Sequence, residues 1–267
     1  MRNEIGSIVL AAGRGSRMKE FKGNKTLLPL VPEESPFRGR EPILLHILRS
    51  LPSGPRAIVV HHDKEAVTQV TAAFGVIYCH QPVLNGTGGA LLAARDFLRG
   101  ITSENVILTM GDIPLVRPHT YLRMIEELKK HHMVILGFNP ADRKQYGVLE
   151  TNGKQVRRII EWKYWKDFAR EVRDALRLCN SGIYAAKREA ILRSLDRLAS
   201  SPHVVQKEIN GRWNRVEEYF ITDLVEYMHE DGLPVGYIQA EDEYEVMGVD
   251  DISALQKAQQ IYRERFL

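Results

Sequence analysis

Ile5-Gly6-Ser7-Ile8-Val9-Leu10-Ala11-Ala12-Gly13-Arg14-Gly15-Ser16-Arg17-Met18 begins with an apolar run that passes at once into small residues and cations. An apolar run on nearly consecutive residues, rather than alternate ones, predicts a strand covered on both faces over residues 5–10. Four more runs of this kind lie at residues 57–61, 76–79, 106–110 and 133–138. Segments with helical spacing separate them, at 43–51, 64–74, 88–98 and 119–130. Strand and helix in alternation predict an α/β fold. Its sheet is expected to be mostly parallel and Rossmann-like, flanked by helices and joined by right-handed crossovers.

Past residue 140 the texture changes. Residues 146–150 and 156–162 bracket Thr151-Asn152-Gly153-Lys154, and Asn-Gly between apolar runs predicts a hairpin. A charged helical segment is expected at 162–176, a strand at 182–186 and a helix at 188–198. Helices at 217–230 and 251–266 flank one more strand at 235–239. There is no internal repeat and no low-complexity tract, so one α/β domain over residues 1–267, elaborated after residue 140, is the expected organisation.

Composition narrows the function classes. Hydrophobic residues make up 44% and charged residues 27%, values of a globular chain rather than a disordered or fibrous one. Thirty-seven Lys and Arg against 34 Asp and Glu leave a net charge of +3, too balanced for a protein whose main partner is a nucleic acid backbone. The two cysteines, Cys79 and Cys179, form no Cys-x-x-Cys pair, which fits a reducing compartment. The first apolar run is too short for a signal peptide, and no stretch approaches the roughly 18 apolar residues of a membrane span. A cytoplasmic protein with no nucleic acid or membrane partner is expected.

The loop after the first strand is the strongest chemical signal. Small residues and glycines let backbone N–H groups approach a ligand, and successive N–H groups form a concavity for anions. In open α/β sheets such a loop sits at the carboxyl ends of the strands, where ligands bind. Two common phosphate motifs do not fit. The dinucleotide fingerprint needs a third glycine where Met18 stands, and Pro29 and Pro32 make the following segment loop-like. The P-loop needs Gly-Lys-Ser/Thr, and Asn24 separates Gly23 from Lys25. Arg14, Lys19 and Lys22 are as well read as a solvated loop.

Residues 10–18, followed by Lys25-Thr26-Leu27-Leu28-Pro29-Leu30, resemble the signature of the sugar-1-phosphate nucleotidyltransferases. The resemblance implies a GT-A-like nucleotidyltransferase fold that joins a nucleoside triphosphate to a sugar phosphate and releases pyrophosphate. It implies a nucleotide-binding half over 1–140, a sugar-binding half over 141–250 and a C-terminal helix over 251–267. Leu10, Ala11, Ala12, Gly13 and Gly15 match the loop that holds the triphosphate, and Arg17 and Lys25 match the catalytic cations. Fixed cations offset charge at an α-phosphate and its leaving group.

Further segments are similar to the uridylyltransferase branch that makes UDP-N-acetylglucosamine. Gln81, Gly86 and Thr87 lie in a segment like its Gln…Gly-Thr-Gly-His-Ala. A glutamine amide offers donor and acceptor to a uracil edge, while Thr87 reads equally as a helix cap. Gly111-Asp112 ends the strand 106–110 and resembles the family's first metal ligand; a turn aspartate before Pro114 is the plain alternative. Asp250 stands where the family's second ligand, an Asn, is found; a cap of the last helix is the alternative. Mg²⁺ on Asp112 and Asp250 is therefore the implied cofactor. Gly111, Gly147, Glu161, Asn180 and Thr222 match the sugar side, the last four within segments like Tyr-Gly, Glu-x-Lys, Asn-Thr-Gly-Ile and Glu-Tyr-Tyr-Ile-Thr-Asp.

Four departures stand out. Asn24 replaces the usual Pro, Gly89 a His, Met110 a Tyr and Asp250 an Asn. An Asp at that last position also occurs in molybdopterin-type nucleotidyltransferases. These differences leave open CTP or another triphosphate, a different sugar or polyol phosphate, and a non-catalytic nucleotide-binding role. No hexapeptide repeat is found, so acetyl transfer is not expected. The implied chemistry is in-line attack of a sugar phosphate oxygen on the α-phosphorus. A phosphate monoester is mostly dianionic at pH 7, so no general base is required.

Overall fold

The structure is a computed structural model that describes residues 4–13, 15, 18, 20–209 and 212–267, with the side chains of 207–209 and 212 left aside. The chain opens with β1 (Gly6–Leu10), a hairpin of β2 (Pro29–Ser35) and β3 (Arg38–Pro42), and helix α1 (Ile43–Ser50). Next come β4 (Arg56–Val60), α2 (Lys64–Thr71), β5 (Ile77–His80), α3 (Gly86–Ala93) and α4 (Arg95–Gly100). Then follow β6 (Asn105–Met110), α5 (Pro118–Glu127), β7 (Met133–Phe138), β8 (Val148–Asn152) and β9 (Gln155–Ile160). After short helices α6 (Trp162–Trp165) and α7 (Arg170–Ala175) the chain forms β10 (Cys179–Lys187) and α8 (Arg188–Ser200). A second hairpin, β11 (His203–Ile209) and β12 (Arg212–Glu218), leads to α9 (Asp223–Glu230), β13 (Val235–Gln239) and α10 (Ile252–Phe266).

Nine strands form one sheet among the described residues, in the order β5-β4-β1-β6-β10-β7-β13-β9-β8. β5, β4, β1 and β6 are mutually parallel, as their continuous apolar runs predict. β10 lies antiparallel between β6 and β7, and β13 resumes parallel pairing with β7. Alternate residues feed two cores: Ile8, Val106 and Leu108 face one layer of helices, while Val9, Ile107 and Leu136 face the other. The central strands β1, β6 and β7 supply both layers because they carry apolar side chains on both faces. No helix among the described residues is long and apolar enough to cross a membrane.

Several boundaries differ from expectation. The segment read as loop-like from Pro29 and Pro32 is the β2–β3 hairpin, a separate two-stranded ribbon in which a missing proline donor costs little. β10 runs three residues earlier than the expected strand, past a register shift between Asn180 and Tyr184. The expected helix at 88–98 is two helices broken at Ala94, and the one at 217–230 starts only at Asp223, because residues 212–218 pair with β11. The hairpin at 151–154 forms between β8 and β9, with Gly153 at φ +60° in the turn.

Candidate active site

The carboxyl ends of β1 and β6 and the start of α3 surround a cavity of about 450 Å³. Leu10, Ala11, Ala12, Gly13 and Gly15 line it, and so do Gln81, Gly86 and Thr87. Lys25, Asp112 and Asp250 complete the set. Lys25 and Asp250, 225 positions apart, are thus brought to one place with the glycine loop. Arg17 lies outside the described residues.

Lys25 is the centre of this arrangement. Its Nζ lies 2.5 Å from Asp112 Oδ2 and 2.8 Å from Asp250 Oδ1. Burial pulls its pKa down, but the two carboxylates and their hydrogen bonds outweigh that and hold it above the ordinary lysine value. The stem of the lysine packs on Gly15, which sits at φ +62°; a Cβ there would stand 3.3 Å from Lys25 Cδ. Glycine at 15 therefore serves both the backbone turn and the path of the lysine.

Asp250 reaches the site because Val249 donates its N–H to the Asp112 carbonyl at 2.8 Å. The capping role is filled by the next residue: Asp251 accepts from the Ala254 N–H and caps α10. Asp112 and Asp250 thus approach one cation from two different segments. Two carboxylates suit a Mg²⁺ ion that draws its other oxygens from water and phosphates. Among the described residues no cluster of three or more His, Cys, Asp or Glu forms an all-protein cage.

The wall that carries Gln81, Gly86 and Thr87 is built on tight backbone contacts. Gln81 is buried, and its Nε2 donates to Asn85 Oδ1 at 3.1 Å and to the Gly86 carbonyl at 3.2 Å. A Cβ at Gly89 would run into the Asn85 side chain, which is a physical reason for glycine there. Thr87 does not cap α3; its hydroxyl accepts from the Ile221 N–H at 3.2 Å. Together with Gly88 N–H to the Tyr219 carbonyl, it ties residues 219–221 to the helix start.

The predicted sugar residues gather next to this segment. Thr222 donates to Glu161 Oε1 at 3.0 Å. A Cβ at Gly147 would lie 3.5 Å from Glu161 Oε2, and the Gly147 carbonyl accepts from the Asn180 N–H. Asn180 donates through Nδ2 to the Tyr184 hydroxyl and accepts from the Gly182 N–H. Burial pushes the Glu161 carboxyl above the usual range despite the Thr222 hydrogen bond and nearby Lys163. Glu161 and Thr222 line a second hollow of about 300 Å³, whereas Gly111 sits apart from them, against Thr26 and Ala11 beneath the first cavity.

Thr26, Leu84, Ala90, Met110 and Glu218 also line the first cavity; the sequence places all five in or beside matched segments but gives none of them a site role. Thr26 lies within the match at 25–30 and Met110 is one of the four departures, so their positions beside Lys25 and Asp112 were the available signal. Glu218 ends β12, and nothing local announced that hairpin.

Fold and crevice together define an α/β protein of the nucleotidyltransferase type. The chain belongs to the family described as MobA-like NTP transferase domain, which matches residues 7–205. The bifunctional protein GlmU of Cereibacter sphaeroides (strain ATCC 17023) is 33% identical over 269 residues, covering 99% of this chain and 53% of that protein. The chain spans about half the length of the curated relatives it matches. Solved structures share its fold. A uridine diphosphate N-acetylglucosamine pyrophosphorylase from Trypanosoma brucei superposes with a TM-score of 0.74 at 15% identity, over 96% of this chain and 65% of that one. A putative glucose-1-phosphate thymidylyltransferase from Bacillus anthracis gives 0.67 at 19% identity, over 98% and 97%.

Proposed function

We propose that this chain transfers a uridylyl group from UTP to a sugar 1-phosphate, N-acetylglucosamine 1-phosphate first among candidates, with release of pyrophosphate. One observation carries the reading: Lys25 touches Asp112 and Asp250 inside a cavity lined by the glycine loop and Gln81. The segments that resemble the uridylyltransferase branch, with the similarity to GlmU over almost the whole chain, support the choice of substrates.

In this reading the attacking oxygen of the sugar phosphate forms a bond to the α-phosphorus as the bond to pyrophosphate breaks. Arriving dianionic, the nucleophile gives up no proton. The protein's task is alignment of two repelling anions and compensation of charge. Backbone N–H groups of the glycine loop hold the triphosphate, and Gln81 reads the base. Lys25 and Arg17 offset charge on the leaving pyrophosphate. Glu161, Thr222, Asn180, Gly147 and Gly111 orient the sugar. Mg²⁺ on Asp112 and Asp250 would supply further charge compensation at the phosphates.

A panel of five nucleoside triphosphates against several sugar phosphates, with and without Mg²⁺, tests the reading by pyrophosphate release. Turnover with UTP and N-acetylglucosamine 1-phosphate is expected. Greater turnover with CTP or with another acceptor would reassign the substrates. Binding of triphosphates without pyrophosphate release in any mixture would reject catalysis.

A further inference from the structure

Asn24 is fully buried, immediately before Lys25, and every hydrogen-bonding position of its side chain is used. Its Nδ2 donates to the Ala11 carbonyl at 3.0 Å and to the His62 carbonyl at 2.9 Å. Its Oδ1 accepts from the Thr26 N–H at 3.1 Å and the Thr26 hydroxyl at 2.9 Å, capping the short turn Lys25–Leu27. The Asn24 N–H donates in turn to Asp63 Oδ2 at 3.3 Å.

Those two acceptor carbonyls belong to the loops leaving β1 and β4, which are neighbouring parallel strands. Ala11 still pairs with Val59 through its N–H at 3.0 Å. Where the strands then diverge, the Asn24 amide bridges them, acting as a side-chain rung beyond the last backbone one. The backbone of Lys25 is therefore anchored to β1 and β4, while its ammonium extends to the end of β6 at Asp112. A proline, the residue usual here in the resembling family, has neither the N–H nor the amide to make these bonds.

We infer that Asn24 is a positioning residue: it holds the Lys25 ammonium at the polyphosphate, in a place where only a side chain with two donors and one acceptor satisfies all the surrounding groups. The inference rests on the proposed role of Lys25. Asn24 touches no substrate; it acts through the lysine.

A double-mutant cycle tests it, with inorganic tripolyphosphate plus Mg²⁺ titrated calorimetrically into wild type, Asn24→Ala, Lys25→Ala and the double variant. Asn24→Ala is expected to weaken binding about tenfold when Lys25 is present, and less than about twofold in the Lys25→Ala background. Its loss of thermal stability should be similar in both backgrounds. An equal loss of affinity in both backgrounds would make Asn24 merely structural and overturn the inference. Wild-type affinity in Lys25→Ala alone would overturn the lysine assignment instead, and this inference with it. Asn24→Asp keeps the shape and the acceptor but loses both donors, so it should behave like the alanine variant; full recovery of binding would refute the role of the donors. If Asn24→Ala does not fold, Asn24→Ser, which retains an acceptor for the Thr26 N–H, enters the same cycle.

Discussion

Lys25 shows how much one side chain can depend on its surroundings. Its ammonium bridges two carboxylates, the same two that are proposed to hold a divalent cation. Removing an electrostatic contact at a transferring phosphoryl group costs on the order of 10²–10³ in turnover, and Lys25→Ala is expected to show that loss in a pyrophosphate-release assay. Lys25→Met keeps the packing on Gly15 but removes the ammonium that lies between the two carboxylates. It should bind Mn²⁺ without nucleotide at least about tenfold more tightly than wild type, measured by electron paramagnetic resonance. Glu161 supplies a second residue-scale prediction. Burial holds its carboxyl above the usual range, so its charged form is the disfavoured one in the folded state. Stability from this group is present at acid pH and is lost as pH rises from the ordinary carboxylate range through the raised pKa. Glu161→Gln keeps an acceptor for Thr222 and should raise the melting temperature at pH 8 relative to wild type, with no gain at pH 4. Its affinity for the sugar phosphate should fall at the same time.

Among the elements, the hairpins and the last helix show where local signals run out. Among the described residues the β2–β3 ribbon joins no other sheet, and it packs against α10. Gln259 on that helix donates to the Pro29 carbonyl and to the Pro36 carbonyl, both at 2.8 Å. Gln259→Leu leaves two carbonyls without that donor at a buried position, and should cost about 2 kcal/mol or more in chemical denaturation. At the N-terminus of α10, Asp251→Ala removes a cap and should cost about 1 kcal/mol. That variant is expected to leave the Mg²⁺ dependence of turnover unchanged, whereas Asp250→Ala should abolish it. The two adjacent aspartates look alike in sequence. The family resemblance points to Asp250, and the structure agrees: Asp250 pairs with Lys25 in the cavity while Asp251 caps the helix.

For the molecule as a whole, β10 is the joint. It pairs with β6 on one side and β7 on the other, and thereby joins the parallel strands β5, β4, β1 and β6 to the β7–β13 pair and the β8–β9 hairpin. Ile183 and Ala185 within it are fully buried. Ile183→Ala should destabilise by about 2–5 kcal/mol, and near- and far-ultraviolet circular dichroism should follow one shared transition. Two separate transitions would mean that the parts of the sheet unfold independently.

The parallel half of the sheet, the loop after β1, and the residues at the ends of β1 and β6 were legible in the chain, because continuous apolar runs and glycine-rich turns are local properties. So was the Asn152-Gly153 hairpin. The insertion of β10, the β11–β12 hairpin that brings Glu218 to the cavity, and the meeting of Lys25 with Asp250 across 225 positions were decided by tertiary structure. Burial of both sheet faces selects among many possible strand orders, and that selection is made by the whole core at once rather than by any one segment.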